Sequence, residues 1–149
     1  EVLNKARLME KKAKDNGRNS FAIATMKHSG ELNDTAFEWG KLTNNNCRKV
    51  ATIVNLLADD TISKSFLKDI LTEFSELSHG GQYAGSWDML ESEIDRLILN
   101  PAKPTSKVDK DRLVKIIGDL FYKCGSNLKN FNSLLNIISF LSREVKHDN

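Results

Sequence analysis

Two cysteines and three histidines are the only thiols and imidazoles in these 149 residues. Cys47 and Cys124 stand alone without C-x-x-C spacing, so reduced thiols are the simplest account and no zinc site is expected. His28, His79 and His147 are dispersed, which argues against a histidine metal cluster. No apolar run reaches membrane-spanning length, and the N-terminus lacks the pattern of a signal peptide. The expectation is a cytoplasmic chain with no membrane contact. A large excess of one charge sign is missing too. A formal net charge of +2 excludes a strongly basic nucleic-acid module, and no DNA contact is assigned.

What is present suffices for a core. Apolar residues make up 40% and charged residues 28%, outside the range of disordered chains. Val2, Ala6, Met9 and Ala13 recur at spacings of four, three and four, which predicts a helix, with Lys5, Lys11, Lys12 and Lys14 largely off that face. Asn16 and Gly17 suit a left-handed C-cap. From Ser20 to Lys27 both alternating faces are apolar, the signature of a strand covered on both sides. After His28-Ser29-Gly30, Thr35, Phe37 and Trp39 mark a second, weaker strand. A lone two-stranded ribbon is marginal in water, so residues 1–42 read as the end of a larger sheet domain and the chain as a fragment.

Past Gly40 the pattern is helical. Val50, Ile53, Val54 and Leu57 stripe a helix from about Asn45 to Ala58, and Ile62, Phe66, Ile70, Phe74 and Leu77 stripe another capped by Thr61 or Ser63. A glycine-rich loop spans His79 to Gly85, and a short helix from Trp87 stops at Asn100-Pro101. Pro101 to Ser106 is a connector. Val108 to Phe121 carries the next stripe, and Asn130 is a candidate cap for the last helix, with Phe131, Leu134, Leu135 and Ile138 inward. The expected fold is mainly α: an antiparallel helical bundle over residues 43–149, preceded by a helix and two strands.

Lys14 and Arg18 lie four residues apart around a glycine at a helix end, and two cations so placed can neutralise phosphate, with Arg offering a bidentate fork. The bland reading is a pair of solvated C-terminal cations. The run Ala6-Arg7-Leu8-Met9-Glu10-Lys11-Lys12-Ala13-Lys14-Asp15-Asn16-Gly17-Arg18-Asn19 resembles the A-K-x-x-G-R-N ending of GGDEF-type cyclase domains. Its continuation, Phe21-Ala22-Ile23-Ala24-Thr25-Met26-Lys27-His28-Ser29-Gly30-Glu31, resembles the large subunit of type III-B (Cmr-type) CRISPR effector complexes. The resemblance covers about the first thirty residues.

That resemblance implies the end of a second cyclase-like palm domain, of α+β type, followed by an all-helical C-terminal domain. It implies that Lys14 and Arg18 contact ATP phosphates in an intact parent that makes cyclic oligoadenylate with a divalent metal (Mg or Mn). It also implies a helical scaffold docked on the small helical subunit near guide–target RNA, in RNA-guided antiviral defence. Candidate RNA or subunit contacts are Lys27, His28, Lys107, Lys110 and Lys115, against the plainer reading of a solvated face. The family's Gly-Gly-Asp-Asp signature and HD nuclease motif are absent from this sequence, so no catalysis is expected of this chain alone. Asp59-Asp60 reads as a turn, and Gly81 to Gly85 is no phosphate loop because no Lys-Ser/Thr follows. Two other readings compete: the tail of a GGDEF-type signalling cyclase fused to a helical domain, and a stand-alone helical interaction module.

Overall fold

The computed structural model describes residues 1–80, 82–83, 85–98 and 109–147. The protein is mainly helical, with a small two-stranded sheet near its N-terminus. Helix α1 (Val2–Asp15) leads to strands β1 (Ser20–Met26) and β2 (Leu32–Glu38). A two-residue ladder, β3 (Gly40–Lys41) with β4 (Asn44–Asn45), precedes α2 (Asn46–Ala58) and α3 (Lys64–Glu76). A second short ladder, β5 (Ser78–His79) with β6 (Gln82–Tyr83), precedes α4 (Trp87–Ile98), α5 (Lys110–Lys123) and α6 (Leu128–His147). The connector expected at Pro101–Ser106 lies outside the described residues.

The second strand is longer than its pattern suggested. All seven residues of β2 pair antiparallel with β1, from Ser20↔Glu38 to Met26↔Leu32. Residues directly opposite in an antiparallel pair share a face, so Phe21, Ile23 and Thr25 lie with Phe37, Thr35 and Asn33. That face packs on α6, where the Asn136 amide donates to Asn33 at 3.3 Å. The opposite face carries Ala22, Ala24, Asp34 and Ala36, and α1 lies across it. Three alanines keep this face low, so a helix can approach closely. Among the described residues no third strand joins the ribbon.

Helix α1 does not bury the face its apolar spacing proposed. Met9 and Ala13 are half-buried, but Val2 is 69% exposed and Ala6 is exposed, and no residue of α1 is fully buried. Lys5 and Lys12, expected off that face, both reach Asp34 in mid-strand: Lys5 Nζ lies 3.4 Å from its carboxylate, and Lys12 Nζ donates to the other oxygen. The two lysines are seven residues apart, close to two helical turns, so they project from one side. Long aliphatic stems let their ammonium groups reach the carboxylate while remaining partly wet. An ion-pair seam therefore does much of the docking that an apolar stripe was expected to do.

Tight turns and caps shape the rest. Gly40 has φ +78°, and a Cβ there would meet the Asn44 carbonyl at 2.6 Å, so the β3–β4 turn requires glycine. Asn45 caps α2 by accepting from the Arg48 N–H, and Ser63, not Thr61, caps α3 by accepting from Phe66 N–H at 3.2 Å. Asp59 accepts from the Thr61 N–H at 3.0 Å, the turn role expected of it. Asn130 does not cap α6: it lies inside the helix, and Asn127 accepts from its N–H at 3.1 Å. The glycine-rich loop closes into the β5–β6 ladder, with Tyr83 buried and its N–H donating to the Ser126 carbonyl at 3.0 Å.

One buried cluster runs from Phe37 of the ribbon through all the helices from α2 to α6. Its centre is aromatic. Phe74 and Phe121 have ring centroids 4.7 Å apart, Phe121 and Phe131 5.0 Å, and Tyr83 meets Phe121 edge-on at 5.8 Å.

Candidate functional site

Helix α1 ends because two successive residues leave the right-handed region. The Asn16 N–H still donates to the Lys12 carbonyl, but Gly17 has φ +90° and Arg18 φ +63°. The left-handed conformation is free for Gly17 and carries a steric cost for Arg18. The Ser20 hydroxyl donates to the Asn16 carbonyl at 2.6 Å and satisfies an acceptor at the helix end. The turn aims the chain straight into β1.

Both cations predicted at this turn are exposed, and their situations differ. Lys14 Nζ lies 2.6 Å from Glu10 one turn earlier, and the Lys14 ammonium holds the Glu10 carboxyl below its usual range. Arg18 is exposed and makes no ion pair with the described residues. The cavity beside the turn, about 460 Å³, is lined by Lys12 and Asp15 from α1 and by its C-cap Asn16, not by Lys14 or Arg18. Its other cation is Lys123, which pairs with Glu38 at 3.1 Å. Cys124 lines the far wall, and burial pushes its thiol up to about 12. A thiol held protonated is a packing residue, not a nucleophile.

The other predicted contacts lie apart. Lys27 and His28 occupy the turn at the far end of β1, roughly 20 Å from Arg18 by the rise of a seven-residue strand. Lys27 Nζ is 2.6 Å from Glu31, whose carboxyl is held below its usual range first by Lys27 and then by Asn33. His28 is exposed. Lys110 is half-buried in the first turn of α5, Lys115 is exposed one turn on, and Lys107 lies outside the described residues. The fold places the described ones on two separate elements, the β1–β2 turn and α5.

It gathers a different set. Arg48 and Lys49 from α2 face Arg112, Lys115 and Asp119 from α5 across a cleft of about 290 Å³. Lys49 is buried, and its ammonium donates to Asp119 at 2.9 Å and to Asn46 at 3.2 Å, which ties the two helices together. Nothing in the linear sequence marked this juxtaposition. The only signal was the spacing of Arg112, Lys115 and Asp119, at i, i+3 and i+7 on one helical face.

Among the described residues, no group of three or more His, Cys, Asp or Glu side chains could hold a metal ion. No helix among them is long and apolar enough to cross a membrane. No protein-family model, no curated protein and no solved structure matches the chain.

Proposed function

We propose that this chain is the closing segment of a cyclase-like palm domain plus a helical scaffold, from the large subunit of a type III-B CRISPR effector complex in the cytoplasm. In this reading Lys14 and Arg18 contact the phosphates of ATP bound mainly by the rest of the palm. Carboxylates outside this chain hold the metal. The helices α2–α6 dock the small helical subunit beside guide–target RNA, and the chain alone turns over nothing. The reading rests on one observation: a helix ends in a Gly17–Arg18 left-handed turn, leaves Arg18 exposed and without an ion pair among the described residues, and passes directly into a sheet that is two strands wide among them.

Replacing both residues (Lys14→Glu, Arg18→Glu) in the full-length protein is expected to lower ATP turnover at least tenfold, since reversal converts phosphate attraction into repulsion. Complex assembly should be unchanged, because both side chains are exposed. Turnover at the parent level would remove the phosphate role. A second reading, a stand-alone helical interaction module, is favoured by Phe37 sharing one core with the helices. Under that reading the reversal has no ATP phenotype in any context.

A further inference from the structure

We propose that the cleft between α2 and α5 seats the phosphodiester backbone of RNA. Four cations line it (Arg48, Lys49, Arg112 and Lys115) against the single carboxylate Asp119, a local excess of three in a chain whose formal net charge is +2. The charges are not equivalent. Lys49 is committed to Asp119 at 2.9 Å, a partly buried pair that ties the two helices together. Arg48, Arg112 and Lys115 are exposed and make no ion pair with the described residues. Asp109 is occupied as the N-cap of α5, accepting from the Arg112 N–H, and Asp111, one turn before Lys115, makes no ion pair with it. Three cations without an ion pair among the described residues, held on two helices around a cleft also lined by Asn44, Asn45 and Thr52, form a preorganised oxyanion seat.

The lining also indicates which phosphate compound fits. It holds no aromatic ring on which a base could stack, so a mononucleotide would be gripped only by its phosphates. Contacts to phosphate without contacts to base are the signature of backbone positioning. The phosphate chemistry stands on the cleft alone, whereas the choice of RNA rests on the function proposed above. The same cleft holds Lys115, a candidate RNA or subunit contact in the sequence, beside Arg112 and adds Arg48 from α2, which the sequence did not single out.

The test uses the whole chain and a fluorescein-labelled oligouridylate, about twenty nucleotides long so that it covers more than one site. Binding is followed by fluorescence anisotropy over a salt series. The triple variant Arg48→Ala, Arg112→Ala, Lys115→Ala is expected to bind about tenfold or more weakly at low salt, with the log–log salt slope reduced by about 2 for three lost contacts to a single strand. Circular dichroism of the variant should be unchanged, because Lys49 and Asp119 are retained. A Lys14→Glu, Arg18→Glu variant should keep parental RNA affinity, so this outcome is independent of the ATP experiment. Unchanged affinity and slope in the triple variant would overturn the proposal. So would displacement of the oligomer by millimolar ATP as effective as displacement by unlabelled RNA, which would make the cleft a mononucleotide pocket.

Discussion

Asp34 sits in the middle of a strand, under a helix, with a lysine on either side. Burial pushes its pKa up, but the hydrogen bonds and charges of Lys12 and Lys5 outweigh burial and hold it below the usual carboxylate range. A carboxyl whose pKa is depressed on folding stabilises the native state at pH above its unfolded value, and that contribution disappears as pH falls through the folded value. Stability should therefore decline below about pH 4, the unfolded carboxylate range, partly through this group. Asp34→Asn is expected to flatten that decline and to cost about 1 kcal/mol at neutral pH, the scale of a partly exposed ion pair. Urea midpoints at pH 7 and pH 3 measure both effects. An equal acid-induced loss in the parent and the variant would assign the decline to other carboxyls. The strand was readable from alternation only from Thr35 onward, and its start at Leu32 was not. The ion-pair role of Asp34 was not, because its partners lie 22 and 29 residues away on a helix whose apolar spacing pointed elsewhere.

At the scale of elements, the stripes Val50–Leu57, Phe66–Phe74 and Phe131–Ile138 identified helices whose inner faces are indeed buried. A period of 3.6 is a long-range signal that survives errors at the ends. Caps and tight ladders depend on one or two residues and were harder to place. Thr61 and Ser63 are both good capping types; the geometry selects Ser63 because it directly precedes the first helical residue, Lys64, and its hydroxyl accepts from the Phe66 N–H, whereas Thr61 lies two residues further back in the Asp59 turn. Ser63→Ala should therefore cost about 1 kcal/mol, a fall of about 2–4 °C in Tm for a chain of this length. Thr61→Ala should change Tm far less. Differential scanning calorimetry of the two variants checks the assignment, and a larger loss at Thr61 would contradict it. The β5–β6 ladder was read only as a glycine-rich loop, since nothing local signals that Tyr83 enters a cluster formed by Phe121 and Phe131 from later helices.

For the whole molecule, the ribbon and the helices share their interior. Phe37 is 1% exposed and belongs to the same cluster as Ile53, Phe121 and Leu134. The ribbon also joins α6 through Asn33–Asn136 and α5 through Glu38–Lys123. Phe37→Ala should thus destabilise helices as well as strands, by about 3–5 kcal/mol. Unfolding should remain a single transition, with far-UV ellipticity coinciding with Trp39 fluorescence in a Trp87→Phe background. Trp39 lies 4.7 Å from Phe21 and reports on the ribbon. An early Trp39 transition, with the helical signal intact, would show that the two parts melt separately.

The seam of Lys5 and Lys12 on Asp34 also restricts how the length of this chain can drift. One residue inserted between the two lysines rotates one of them about 100° around the α1 axis, and Asp34 can then keep only one ammonium. Additions in the Lys27–Glu31 turn leave both contacts in place. In descendants of this sequence, gaps should collect at such hairpin tips and spare the seven-residue interval from Lys5 to Lys12.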